Sequence, residues 1–250
     1  MVKDSIVALG VCILLFSASS VHAQGGGSGD WDVDVAVYGW AAGLDGTLAV
    51  GEREAAVEVT SNELLKALDF AFMTGFAATS DRWVIDGVFD FADLGRDVEL
   101  VTIQAFPGVD PNVSLDAKQT IVHGSLGYRV TDNVDLLGGF RGYYLSSSID
   151  ANVGQIASTS VGWVDPIVGA RYRRALGEKW RIGLRGDVGG FGVGSEFAWY
   201  VNAFASRQFT DLVALTFGYR VWDFERQGDQ EIVEFDATLA GGAIGLTFSF

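Results

Sequence analysis

Cysteine is almost absent from this chain of 250 residues, and the one present, Cys12, lies in an N-terminal apolar run. A single thiol makes no intrachain disulfide and no zinc–thiolate cage. Basic residues are also short, with Lys+Arg 17 against Asp+Glu 32 and a formal net charge of -15. There is no cationic excess to neutralise phosphates, so a nucleic-acid partner is excluded. No apolar stretch is long enough to cross a bilayer as a helix, since even Ile6 to Phe16 falls short of the roughly 20 residues needed. Proline is down to three residues. What is abundant is apolar and small: 49% of residues are hydrophobic, 12% are aromatic, 33 are glycine, and mean hydropathy is +0.25. That aromatic content excludes a disordered chain, and the glycine-rich, proline-poor balance predicts a sheet protein with tight turns.

The first residues read as an address. Lys3, the apolar run Ile6 to Phe16 and the small-residue site Val21-His22-Ala23 before Gln24 predict a secretory signal peptide over 1–23, cleaved after Ala23. Cleavage there removes Cys12 and leaves no cysteine nucleophile. Residues 24–30, with GGGSG at Gly25 to Gly29, read as a flexible tether. The remaining 31–250 read as one domain.

Within that domain the apolar period is two. From Trp31 to Ala41 the residues Trp31, Val33, Val35, Val37, Gly39 and Ala41 share one face, and Asp32, Asp34, Tyr38 and Trp40 fall on the other. After Ser80-Asp81-Arg82 the alternation returns: Trp83, Ile85, Gly87, Phe89 and Phe91 oppose Val84, Asp86, Val88 and Asp90. Such segments match the roughly 9 to 11 residues of a tilted membrane-crossing strand.

Four short polar connections, near Thr79 to Arg82, Thr131 to Asn133, Leu176 to Lys179 and Thr210 to Asp211, alternate with longer ones. The longer ones cover Leu44 to Asp69, Ala92 to Lys118, Ser146 to Ser160, Gly190 to Glu196 and Asp223 to Glu234. The expected fold is therefore all-β: a single antiparallel up-and-down transmembrane β-barrel of about ten strands, within a range of about eight to twelve, with short periplasmic turns and longer extracellular loops. Thr47 to Val50 and Ala55 to Thr60 read either as a hairpin beyond the membrane or as further barrel strands.

The face that would meet lipid decides between a membrane barrel and a soluble one, because a charge at the midplane costs roughly 2 to 4 kcal/mol. One parity followed through the strands is free of charge. It includes Phe70, Phe72 and Phe76; Leu136, Gly138, Phe140 and Tyr144; Val164, Pro166 and Val168; Leu184 and Val188; Phe217 and Tyr219; and Ile244, Leu246, Phe248 and Phe250. Arg207, beside a turn, is the exception. Trp31, Trp83, Tyr128, Tyr172, Trp180, Phe209 and Phe250 sit by the short turns or the ends, where an interfacial aromatic girdle belongs, and Phe91, Tyr144 and Trp199 would form the outer ring.

The C-terminal strand Ile244-Gly-Leu-Thr-Phe-Ser-Phe250 alternates and ends on phenylalanine. The stretches WVDPIVGARYR (Trp163 to Arg173) and RGDVGGFGVG (Arg185 to Gly194) flank Trp180. In these features the chain resembles the small outer-membrane β-barrel proteins of Gram-negative bacteria, broadly the OmpA-like and OmpW-like barrels. The resemblance implies residence in the cell outer membrane, partnership with outer-membrane lipid and lipopolysaccharide, and recognition of Phe248 and Phe250 by the barrel-assembly machinery. It implies no particular activity.

Function must then be sought in the lumen. Parity places Asp32, Asp34, Asp86, Asp90, Asp135, Asp165 and Asp187 there with Arg129, Arg141, Arg171, Arg173, Arg181, Arg185 and Arg220. The signs balance, which favours a plug of ion pairs over a charge-selective pore, with a narrow water-filled conduit as the competing reading. The central network is expected to join Arg141, Asp165, Arg171, Arg185 and Asp187, with Asp86, Asp90 and Arg220 alongside. The expected function is thus a structural barrel or narrow passive conduit, monomeric, with no cofactor and no metal. A surface for recognition or adhesion on the acidic loops is the alternative.

Catalysis is not expected. His123 is the sole histidine after residue 23 and no nucleophile elbow occurs, so His123 reads as a satisfied lumen residue. The acidic excess lies in the outer loops: Glu52, Glu54, Glu58 and Glu63; Asp93, Asp97, Glu99 and Asp110; Glu225, Asp229, Glu231 and Glu234. Their spacing matches no calcium loop and reads as solvated surface. Ser61 to Leu68 carries an N-cap signal and an apolar i, i+3, i+4 stripe, predicting a short helix. Pro166, tolerated near a strand start, places Trp163 to Pro166 at the outer rim.

Overall fold

A computed structural model describes residues 31–50, 53–95, 114–151, 154–227 and 234–250. The expected signal peptide and tether, and loop residues Glu52, Asp97, Glu99, Asp110, Asp229 and Glu231, lie outside the described residues. The chain runs β1 (Asp32–Val50), β2 (Arg53–Val59), α1 (Ser61–Ala67), β3 (Leu68–Thr79), β4 (Trp83–Leu94), β5 (Ser114–Thr131) and β6 (Val134–Ala151). It continues through β7 (Gly154–Leu176), β8 (Trp180–Gly190), β9 (Phe197–Gln208), β10 (Val213–Arg226) and β11 (Glu234–Ser249).

Sequential antiparallel pairing from β3 to β11 closes on β1, with β11 paired to β1 from Asp34↔Ser249 to Ala49↔Glu234. The result is a closed ten-strand up-and-down barrel. β2 stands outside the ring: it pairs with the outer part of β1, Leu44 to Val50, while β3 takes Asp32 to Tyr38. The segment read as a hairpin or as extra barrel strands is thus a hairpin beyond the ring.

The short connections close through side-chain hydroxyls. Ser80 Oγ accepts from the Trp83 amide, Thr131 Oγ1 from the Val134 amide, and Thr210 Oγ1 from the Val213 amide. These bonds satisfy the amides that a tight turn would strand. The fourth turn uses Gly177 at φ 72, a conformation that glycine adopts without strain.

The charge-free parity is the outer surface. Phe70, Phe72, Leu126, Leu136, Phe140, Val164, Val168, Leu184, Ile244 and Leu246 are all exposed. Trp31, Trp83, Tyr128, Trp180, Phe209 and Phe250 form an exposed girdle around the short-turn end. The outward cation Arg207 lies over the rings of Trp180 and Phe209, its guanidinium carbon 5.8 and 5.5 Å from their centroids. A cation held at that level keeps its charge at the interface while its stem covers apolar surface.

Two expectations need correction. Ser146 to Ser160 is not a loop, because β6 and β7 stay paired out to Ala151↔Gly154 and carry their hairpin well past the ring. Pro166 accordingly sits mid-strand and not near the strand start. It is tolerated because the β7–β8 ladder begins only at Ile167↔Gly189, leaving that edge of β7 unpaired at the proline. The helix forms at Ser61–Ala67, capped by Thr60 and not by Ser61. Glu63 takes part in a reciprocal capping box, accepting from the Thr60 amide at 2.8 Å. Of its expected stripe only Ala67 is buried, and Leu65 is exposed.

Candidate functional site

Successive inward residues change chemistry at one level of the barrel. On β6 the step is from Arg141 to Tyr143, on β10 from Arg220 to Trp222, and on β7 from Asp165 to Trp163. Toward the short turns the lumen is ionic; toward the loops it is aromatic.

The ionic layer is a continuous chain of buried pairs. Arg141 Nη2 donates to Asp187 Oδ1 at 2.7 Å, and Arg185 Nε donates to Asp187 Oδ2 at 3.2 Å. Arg185 Nη1 reaches Asp86 Oδ2 at 2.7 Å, and Arg171 Nη1 lies 3.7 Å from the same oxygen. Arg171 then donates twice to Asp135 Oδ2, at 3.0 and 2.9 Å, and Arg129 and Arg173 approach that carboxylate at 3.5 and 3.6 Å. A second pair stands apart: Arg220 Nη1 donates to Asp90 Oδ2 at 2.9 Å, and the Tyr38 hydroxyl donates to Asp90 Oδ1 at 2.5 Å. Charge-assisted bonds of this kind let buried carboxylates and guanidinium groups remain together away from bulk water.

In the structure Arg141, Asp187, Arg185 and Arg171 are joined through Asp86. Asp165 is not part of that network and the expectation for it is corrected. It faces inward and is wholly buried, yet its carboxylate accepts from the Ser195 amide and the Ser195 hydroxyl, both at 2.7 Å. Ser195 Oγ also accepts from Trp163 Nε1 at 2.9 Å. Asp165 therefore fastens the β8–β9 turn, a contact invisible to strand parity because its partner is in a turn.

His123 and Ser125 both face Asp86. Ser125 Oγ donates to Asp86 Oδ1 at 2.5 Å, and His123 Nε2 is 2.6 Å from Arg185 Nη2. The same Nε2 lies 3.3 Å from Asp86 Oδ1, so the imidazole sits between the guanidinium and the carboxylate. The serine hydroxyl is thus bonded to the carboxylate and not to the imidazole.

Over this layer lies an aromatic one that the sequence reading did not identify. Tyr143 stacks on Trp163 with centroids 4.5 Å apart and planes 10° apart, and it touches Trp222 at 5.1 Å and Phe224 at 5.6 Å. Ile121, Ala198, Tyr200, Ala237 and Leu239 complete the buried cluster, with Trp40, Leu44 and Leu145 against it. The two layers are coupled by Arg141, whose guanidinium lies 4.8 Å from the Tyr200 ring centroid and 5.0 Å from that of Trp222. The signal was present, since Trp40, Tyr143, Trp163, Tyr200 and Trp222 all share the inward parity with the charges.

Below the aromatic layer is a cavity of about 250 Å³. It extends from Asp34, Arg173, Ser206 and Thr216 near the short turns to Arg141, Tyr200 and Trp222. Outside the barrel, Lys118 Nζ pairs with Asp93 at 2.9 Å, and Glu63, in the capping box, is held below the usual carboxylate range mainly by the Thr60 hydroxyl. Among the described residues, no three His, Cys, Asp or Glu side chains are grouped to hold a metal.

No family model matches the chain, and no curated protein matches it in sequence. Solved structures do match in shape. The outer membrane protease OmpT from Escherichia coli is 11% identical, with 88% of this chain and 96% of that chain covered and a TM-score of 0.50. The fold is that of the Gram-negative outer-membrane β-barrels. The translocator domain of the autotransporter NalP from Neisseria meningitidis (11% identical, 91% and 90% covered, TM-score 0.45) is also similar. So is Ail, the attachment invasion locus protein of Yersinia pestis (10%, 88% and 98%, 0.39). These barrels carry different roles, so the likeness concerns architecture alone.

Proposed function

We propose that this chain is a monomeric integral protein of the outer membrane, a structural barrel with an occluded lumen, whose contacts outside the cell are made by its acidic loops. The observation that carries the reading is the packed aromatic layer that closes the outer lumen above the ionic one. The buried Arg141–Asp187–Arg185–Asp86 chain crosses the middle of the barrel beside the cavity, and the Tyr143–Trp163–Trp222–Phe224 cluster fills the outer lumen. Ions crossing it would have to pass the ion pairs that line the cavity and displace the packed rings above them. The charge-free outer face around the ring supports outer-membrane residence and contact with lipid and lipopolysaccharide. Phe250 pairs by backbone with Val33, placing the terminal phenylalanine at the seam that closes the barrel. That position suits recognition of Phe248 and Phe250 by the assembly machinery before the seam is zipped.

The test is conductance of the refolded chain in a planar bilayer, after heat-modifiable gel migration has shown that it is folded. The wild type is expected to be silent, and Trp222→Ala with Tyr143→Ala to give steps as the outer layer opens. Steady steps from the wild type that change on Arg141→Ala or Asp187→Ala overturn occlusion and make the lumen a narrow passive conduit. Recognition through the loops is the second reading, favoured by the exposed acids Glu58 and Glu225 and by the β6–β7 hairpin that projects past the ring.

A further inference from the structure

The β8–β9 connection differs from the other described connections. Ser80-Asp81-Arg82, Asp132-Asn133, Glu178-Lys179 and Thr210-Asp211 all carry charge at their tips, whereas the β8–β9 tip, Phe191-Gly-Val-Gly194, is apolar and the charge of this connection, Glu196, stands at its base beside β9. Its apolar side chains are not packed away: Phe191 is 54% exposed, Val193 72% and the following Phe197 46%. In water this is unfavourable apolar surface.

The turn is also held rigidly. Phe191 adopts φ 53, the left-handed region that a bulky side chain rarely enters, between Gly190 at φ 86 and Gly192 at φ 72. Strain of that kind persists only where surrounding contacts enforce it. Here they do: Val193 N donates to Gly190 O at 3.0 Å, Gly192 N to Ser195 O at 3.1 Å, and the buried Asp165 clamps Ser195 from beneath.

Strand length sets the height of the turn. β8 has 11 residues from the girdle residue Trp180 to Gly190, about one tilted membrane crossing, whereas its neighbour β7 has 23. The exposed apolar belt therefore runs up Leu184 and Val188 on β8, and Val164 and Val168 on β7, directly to the base of this turn.

We propose that the β8–β9 turn is a lipid anchor, inserting Phe191 and Val193 into the outer-leaflet interface and holding the low side of the barrel wall at a fixed depth. The occupant is the lipid surface because the turn continues the lipid-facing belt. The proposal rests on the membrane-barrel reading, and the test separates the two.

In a chain carrying Cys12→Ser, the introduced thiol is the only one. Val193→Cys, Leu184→Cys and Ser160→Cys are each labelled with an environment-sensitive fluorophore and refolded into phosphatidylcholine vesicles. Quenching is read with acyl-brominated lipid and with aqueous iodide. Leu184, mid-belt, is expected to be quenched by lipid; Ser160, on β7 past the end of β8, by iodide; and Val193 by lipid with protection from iodide. Lipid quenching at Leu184 with only iodide quenching at Val193 overturns the anchor while leaving the barrel reading intact. Quenching of Val193 by neither reagent also overturns it, since the turn is then covered by protein. Failure of lipid quenching at Leu184 sinks the barrel reading itself.

Discussion

The two halves of the lumen are built on the same ten strands and the same inward parity, yet they are filled by different chemistry. The short-turn half holds the arginines and aspartates, with Asp86, Asp135 and Asp187 each shared by more than one donor, beside Phe204, Ser206 and Thr216 around a cavity. In the loop half the side chains are aromatic and aliphatic and are buried against each other. The difference bears on how each half tolerates change. Removing one member of a buried ionic network leaves its partner charged and unsolvated, so the ionic half is expected to respond to the loss of a single group more strongly than the packed half.

Asp86→Ala should therefore have the largest effect. It strips Arg185 of its 2.7 Å partner and leaves Ser125 without its acceptor, so that Arg185 and Arg141 must share Asp187 alone, and a buried network left short of a carboxylate in this way costs about 3–5 kcal/mol. The measurement is a urea titration of the barrel in vesicles, followed by tryptophan fluorescence. A loss below about 1 kcal/mol, the scale of an exposed pair, would mean that water reaches this layer and that the two halves do not differ as described.

Trp222→Ala probes the other half by the same titration. Truncating a buried tryptophan ordinarily costs about 3–5 kcal/mol, and the lower end of that range is expected here. The indole packs against Tyr143, Tyr200 and Phe224, and the Tyr143–Phe224 and Tyr143–Trp163 contacts that survive its removal limit the loss. A larger loss than for Asp86→Ala would reverse the ranking of the two halves.

Ser195→Ala is smaller again, about 1–3 kcal/mol, because it leaves Trp163 Nε1 unpaired but keeps the backbone bond from the Ser195 amide to Asp165. Unchanged stability would show that the clamp on the β8–β9 turn is carried by that amide alone.

How much of this was legible follows from what a period of two encodes. It gives the face of every residue, and so the charge-free outer surface and the inward set of charges could be read along each strand. It does not say whether an inward residue meets water or another side chain. Trp40, Tyr143, Trp163, Tyr200 and Trp222 lie on the same parity as the charges, and only the meeting of five strands at one level makes them a cluster. Asp165 fails for a related reason, since its partner is in a turn whose position is set by the lengths of β8 and β9. The outer ends of β6 and β7 were hidden by composition: their polar, serine-rich residues look like loop but remain paired as a hairpin.

The smallest effect concerns the outside of the barrel, where α1 offers a titration that the lumen should not follow. Glu63 accepts from the Thr60 amide and hydroxyl, at 2.8 and 2.7 Å, and these bonds favour its ionised form and lower its folded pKa. A carboxylate depressed on folding contributes order that is fully present above its unfolded pKa and is lost as pH falls through the lower, folded value. The amides of Ser61–Ala67 should accordingly lose hydrogen-exchange protection at acid pH, once the intrinsic pH dependence of exchange is divided out, while the barrel ladders keep theirs. Glu63→Gln should remove most of that pH dependence and lower protection at neutral pH, because an amide oxygen accepts these bonds without the charge. If helix and ladders lost protection together, the outer hairpin and helix would be one cooperative unit with the lumen, and the boundary drawn between ring and appendage would have to move outward.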